Sequence, residues 1–159
     1  MIAKSASHAA HKPAGKAPHP LANRARYKVW NMEKLRLTDL DHQHHVNNAI
    51  FGVLYTSVRH DFLRAHVRPL VAESDMFAMV KITIDYLAEM HYPGEVDVGI
   101  MIQRIGRTSI TFGQAIFKDG KCASVAEAVM VLLDPVSRRA KVLPANIAHD
   151  LARFIDTAA

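Results

Sequence analysis

Asp39-Leu40-Asp41-His42-Gln43-His44-His45-Val46-Asn47-Asn48-Ala49-Ile50-Phe51 is where the chain changes character. Its first seven residues are almost all polar. Its last four open an apolar stretch with helical spacing. Asn favours a helix N-cap because its side-chain oxygen accepts from the first unpaired backbone N–H groups, so Val46-Asn47-Asn48-Ala49 predicts a helix start. From there residues 49–66 read as one long helix. Ile50, Leu54, Val58 and Phe62 recur at four-residue spacing, and Phe51 and Tyr55 widen the same face. The first two turns are apolar nearly all round, which predicts burial. Arg59, His60, Asp61, Arg64 and His66 predict that the far end reaches solvent. Pro69 marks the exit.

Upstream, residues 26–38 read as a strand. Downstream, the periodicity switches to two. Val80, Ile82 and Ile84 alternate with Lys81, Thr83 and Asp85. Val96, Val98, Ile100 and Ile102 alternate in the same way, and residues 108–117 and 122–133 make two more such runs. Alternation of this kind marks strands with one buried face. The links between them are short: Pro93-Gly94, Gly106 and Lys118-Asp119-Gly120-Lys121. Asp-Gly is a hairpin signal, because both positions tolerate positive φ. Residues 144–155 predict a terminal helix with Ile147, Leu151 and Phe154 on one face. The order is strand, long helix, then four antiparallel strands, an α+β pattern. One helix cannot cover both faces of such a sheet, so the sheet is expected to wrap around it. The open edges favour dimerisation through strand pairing or helix contacts.

Charge is unevenly placed. The 159 residues carry a formal net charge of +5. No acidic residue precedes Glu33, and residues 1–32 hold six of the 20 basic residues. The remainder has 14 basic and 15 acidic residues and is nearly neutral. Residues 1–22 are therefore read as a flexible basic tail and 23–159 as one folded domain. A basic tail on a neutral body argues against nucleic-acid binding, which wants a basic face on the fold. No apolar run is long enough to span a bilayer. The single cysteine, Cys122, permits no intrachain disulfide, which fits a reducing, cytoplasmic location.

Asp39 and Asp41 stand just before the helix start. The N–H groups there are unpaired and carry partial positive charge. Such a terminus can polarise a thioester carbonyl and stabilise the oxyanion. A carboxylate beside it can attack the carbonyl or activate water. On its own the pattern is more often a cap or a loop acid.

The quoted stretch also resembles the D-x-D-x-x-G-H-V-N-N-A-x-Y signature of the 4-hydroxybenzoyl-CoA thioesterase-like hotdog family. The resemblance continues in Asp85-Tyr86-Leu87, Pro93-Gly94-Glu95-Val96, Arg104-Ile105-Gly106-Arg107-Thr108-Ser109, Ala126-Glu127-Ala128 and Leu133-Asp134, covering roughly residues 26–144. It implies a hotdog fold, an antiparallel sheet wrapped around one central helix, and an acyl-CoA thioesterase without a cofactor. By position Asp41 matches the catalytic carboxylate, as nucleophile or general base. Asn48 matches the helix-start residue whose N–H holds the thioester oxygen. His45 and Asn47 match positions lining the same turn. Asp39 matches a structural acid. Arg107, Thr108 and Ser109 resemble the stretch along which pantetheine lies. The expected partners are acyl-CoA and further copies of the chain, as a homodimer or homotetramer. Two alternatives stand beside hydrolysis of acyl-CoA: a non-catalytic acyl- or CoA-binding module, and a thioesterase acting on acyl carrier protein. One departure is His44, where the family commonly has Gly in a tight turn.

His42, His44 and His45 invite a metal reading, but adjacent histidines rarely aim at one ion, and no metal is expected from this segment. Cys122 in a strand reads as a small buried residue. Tyr55 and Tyr86 read as core residues with one hydrogen-bonded hydroxyl. Arg104, Arg107, Lys118, Lys121, Arg138 and Arg139 are solvated charges that are also available to CoA phosphates.

Overall fold

A computed structural model describes residues 18–156. The chain order is β1 (Val29–Lys34), α1 (Asn48–Phe62), β2 (Met76–Tyr86), β3 (Glu95–Ile105), β4 (Ser109–Lys118), β5 (Lys121–Leu133) and the short α2 (Ile147–Asp150). The five strands form one sheet in the order β1-β3-β4-β5-β2, and every pairing is antiparallel. β1 and β2 are the edges. Among the described residues no helix is long and apolar enough to cross a membrane.

α1 lies against the inner face of this sheet. Phe51, Leu54, Tyr55, Val58 and Phe62 are buried against Val96, Val98, Ile100 and Ile102 of β3 and Ile110, Phe112 and Ile116 of β4. β5 adds Ala126, Met130 and Leu132 to the same cluster. Ile147, Leu151 and Phe154 close its end, as the spacing in residues 144–155 predicted, although that segment holds only one α-turn followed by a 3-10 turn, Ala152–Phe154. The sheet therefore wraps one helix, the expected hotdog arrangement.

The outer face carries a smaller cluster of Leu21, Tyr27, Met101, Ala115, Phe117 and Val125. Gly99 permits it: a Cβ there would lie 2.8 Å from Tyr27 Cγ. Leu21 belongs to a 3-10 turn, Pro20–Ala22, and is buried. Of the tail expected over residues 1–22, residues 1–17 lie outside the described residues. The β4–β5 hairpin turns at Asp119 and Gly120, with φ of 50° and 77°. Both central residues are thus left-handed, which matches the twist of the flanking strands.

Four local expectations are corrected. The first two turns of α1 are not covered all round, since Val53 is 61% exposed. Arg59 does not reach solvent: it is 4% exposed, with Nη1 donating to Gln114 Oε1 at 2.8 Å. Val80 does not share the buried face of Ile82 and Ile84. The register slips between Met79 and Lys81, and the bulge turns Val80 outward to 60% exposure. The helix does not run evenly to residue 66. Leu63–Val67 widens into a π turn, and Pro69 sits inside a closing 3-10 turn rather than after the exit.

Candidate active site

The segment before α1 is organised by Asp41. Its Oδ1 accepts from the backbone N–H of Gln43 at 2.8 Å and of His45 at 3.1 Å. The Asp41 N–H donates to the His45 carbonyl at 2.8 Å, and the His44 N–H to the Asp41 carbonyl at 3.1 Å. The result is a tight turn in which His44 takes φ +63°. This is the left-handed conformation that a Gly would occupy freely, so His44 follows the Gly path despite its side chain. His44→Gly should therefore raise stability by about 0.5–1 kcal/mol, net of the larger entropy of an unfolded Gly. A rise in the urea midpoint with unchanged slope checks this; a fall would mean that the imidazole holds the turn.

The Asp41 carboxyl sits below the usual carboxylate range. Partial desolvation is the largest single influence and acts upward. The Gln43 and His45 amides, with the His45 and His42 imidazoles, together outweigh it. The group is thus a carboxylate at neutral pH. Its second oxygen accepts no hydrogen bond from the described residues.

Asp39 is structural in its geometry. Its carboxylate accepts from the Arg36 N–H at 2.7 Å and its carbonyl from the Asn47 N–H at 2.8 Å. Asn47 caps α1, its Oδ1 accepting from the Ala49 N–H at 2.9 Å. Asn48 is the first helical residue. Its N–H meets no acceptor among the described residues, as the first amides of a helix do not. The Asn48 carbonyl accepts from the Tyr86 hydroxyl at 3.3 Å, and the Tyr86 ring stands edge-on to Phe51 at 5.1 Å. β2 thereby clasps the opening of the helix.

Asp41, His45, Asn48, Phe51, Tyr86 and Glu89 line one open cleft of about 370 Å³. Three of the four residues read from the sequence as catalytic thus share it. Asn47 takes the capping role beside it. Of the other wall, residues 86–90, the resemblance touched Tyr86 and Leu87, but Glu89 carried no recognisable chemical pattern in the sequence. It arrives through a backbone bond from the Val46 N–H to the Met90 carbonyl at 2.8 Å. His45 Nε2 lies 3.5 Å from Glu89 Oε2, and His91 Nε2 lies 3.9 Å from the same oxygen. His42 and His44 are exposed and stand outside this group.

Arg107, Thr108 and Ser109 lie elsewhere. Ser109 pairs with Val131, whereas Tyr86 pairs with Ser124. The two pairs are seven residues apart along β5, roughly 23 Å at about 3.3 Å per residue. One copy of the chain does not bring this stretch to the Asp41 cleft.

Other candidates have ordinary roles. Tyr55 is fully buried, with its hydroxyl 2.5 Å from Ser124 Oγ. Tyr86 is half exposed rather than core. Cys122 is half-buried, its thiol pushed up to about 11 chiefly by burial, which disfavours the thiolate. Glu127 faces Lys81 at 4.0 Å.

The thioesterase-like superfamily model matches residues 35–151. The chain belongs to this family. The expected thioester hydrolase is met at that level, and the resemblance read from the helix-start motif is borne out. The acyl-CoA thioester hydrolase YbgC of Escherichia coli O6:H1 is 27% identical over 106 residues, covering 64% of this chain and 79% of the relative. Solved structures share the fold. The PA5185 protein of Pseudomonas aeruginosa superposes with a TM-score of 0.75 at 22% identity, over 86% of this chain and 97% of that one. A thioesterase of Thermus thermophilus, complexed with coenzyme A and Zn, gives 0.69 at 25% identity, over 79% and 98%.

Proposed function

We propose that this thioesterase-like chain hydrolyses acyl-CoA thioesters to free acid and CoA at the Asp41 cleft. The observation that carries the proposal is the pairing, in one cleft, of an ionised carboxylate oxygen and the N–H that opens α1, neither of which has a partner among the described residues. The Asn48 amide holds the thioester oxygen, and negative charge developing on that oxygen is stabilised by the helix terminus. The unbonded Asp41 oxygen reaches the carbonyl carbon directly, as nucleophile, or through one water, as general base. Asn47 fixes the first turn and His45 anchors the loop that presents the carboxylate. The acyl-CoA hydrolase relative and the neighbour complexed with coenzyme A support CoA as the thiol.

The test is a panel of acyl-CoA thioesters read with a thiol-trapping dye. Release of CoA on at least one chain length supports the reading. Binding of every acyl-CoA without release would favour a sensor, and faster release from the matching acyl carrier protein would favour that donor. Single turnover in labelled water separates the two roles of Asp41.

A second copy of the chain completes this site. β2 is an edge strand whose Met76, Met79 and Val80 are 44%, 47% and 60% exposed. Its backbone N–H and C=O groups face outward, and apolar edges of this kind pair with another strand. Antiparallel pairing of β2 with β2 about a two-fold axis puts the Met76 end of one copy beside the Tyr86 end of the other. Arg107, Thr108 and Ser109 of the second copy then approach the cleft that their own protomer leaves remote. Met79→Lys should turn the dimer into a monomer, because it replaces an apolar edge side chain with a charge that adds to the Lys81 pair near the axis. Size-exclusion chromatography with light scattering checks this. Turnover should fall in parallel, and a fully active monomer would overturn the shared site.

A further inference from the structure

We propose that His45, Glu89 and His91 form a binding site for one divalent transition-metal ion of the zinc class at the rim of the Asp41 cleft. The two imidazoles reach it from different segments and converge on one carboxylate oxygen. His45 Nε2 lies 3.5 Å and His91 Nε2 3.9 Å from Glu89 Oε2, and the three ligating atoms all fall within 4.8 Å of one another. The rings stand edge-on, with centroids 4.9 Å apart at 79°. A tetrahedral ion with bonds of about 2.0–2.2 Å needs donors roughly 3.3–3.5 Å apart. Side-chain adjustments of about 1 Å close the site without moving the backbone.

The backbone is already held. The Val46 N–H donates to the Met90 carbonyl at 2.8 Å, and Val46 and Met90 are buried to 3% and 1% exposure. These anchors fix His45 on one segment against Glu89 and His91 on the other. Glu89 and His91 flank buried Met90 along the chain and are themselves exposed, which leaves a coordination position open to water. Two imidazole nitrogens and one carboxylate oxygen suit zinc, cobalt or nickel, whereas magnesium and calcium ask for oxygen donors throughout. The ion would tie the two walls of the cleft together through the residue whose N–H donates to Asp41.

The site is tested on the full chain, stripped with a chelator and titrated with Zn²⁺ against a chromophoric competitor. One equivalent should bind, and Co²⁺ in its place should give the intense visible bands of low-coordinate cobalt. His91→Ala and Glu89→Gln remove exposed side chains, so both variants should fold as the parent does; each should weaken binding at least tenfold and abolish the cobalt bands. His8→Ala/His11→Ala, which removes two tail histidines, should leave both signals unchanged. If the His91 and Glu89 variants bind as the parent does, the ion sits elsewhere. If the parent binds none, the cluster is only an ion-paired group; either result overturns the site. Neither readout needs turnover, so the outcome is distinct from that of the acyl-CoA panel.

Discussion

Asp41→Asn should lower kcat on the best acyl-CoA substrate by about 10²–10⁴-fold while leaving the fold and KM close to those of the parent. The asymmetry of the carboxylate is what makes this variant informative. Oδ1 is engaged by the Gln43 and His45 amides at 2.8 and 3.1 Å, and the Asn carbonyl oxygen can accept both bonds, more weakly for want of the charge. The turn therefore survives. What disappears is the charge and the lone pairs on the second oxygen, the parts needed for attack or for proton abstraction. Asp41→Ala is the contrast. It strips the turn of its acceptor as well and should lose stability along with activity. The depressed pKa adds a pH signature. Because the folded value lies below the unfolded one, the stabilisation that Asp41 contributes is present above the unfolded pKa and is lost as pH falls through the folded one. The Asn variant should lack that component of acid denaturation. Near-parental turnover in Asp41→Asn would remove the carboxylate from the chemistry and leave it as a loop cap.

That capping role was legible beforehand as the bland alternative, and the structure shows Asp41 holding the turn through Oδ1; its catalytic role is the proposed one. The helix start, the hairpin at Asp119-Gly120 and the alternation in β3 and β4 were also readable, because each is a local pattern with a local cause. The errors have the opposite character. Arg59 reads as a surface charge until Gln114, 55 residues away, is placed on the inner sheet face to receive it. Val80 fits the alternation until a bulge shifts its register. Val53 belongs to the apolar first turns but points to a side that the described residues do not cover. Glu89 and His91 carry no pattern that links them to His45, since only the Val46–Met90 backbone bond makes them neighbours. Information about the second wall of the cleft is thus held in tertiary pairing rather than in spacing. The same holds for Arg107, Thr108 and Ser109: the motif names them, but one copy's topology puts them at the other end of the sheet.

The largest loss of stability should come from Phe62→Ala. Phe62 is 1% exposed and sits where three elements meet. Its ring stands edge-on to Phe112 of β4 at 5.5 Å, to Phe154 of the C-terminal segment at 5.0 Å and to His66 at 5.0 Å. Truncation removes the transfer energy of the ring and leaves a cavity bounded by the sheet on one side and the wider π turn on another. A buried Phe replaced by Ala costs about 3–5 kcal/mol, against a total stability of about 5–15 kcal/mol for an ordinary domain. Urea denaturation at fixed protomer concentration measures the loss, the fixed concentration being needed because the proposed assembly would contribute to apparent stability. Phe62→Leu retains much of the volume and should cost less. Phe62 closes the end of α1 opposite Asn48, so the folded fraction of either variant should keep its KM and its kcat within about twofold. A loss below about 1 kcal/mol on Phe62→Ala would mean that the wrapped core collapses readily into the space. A large fall in kcat with little loss of stability would mean instead that the far end of the helix governs the geometry of its N-terminal amides.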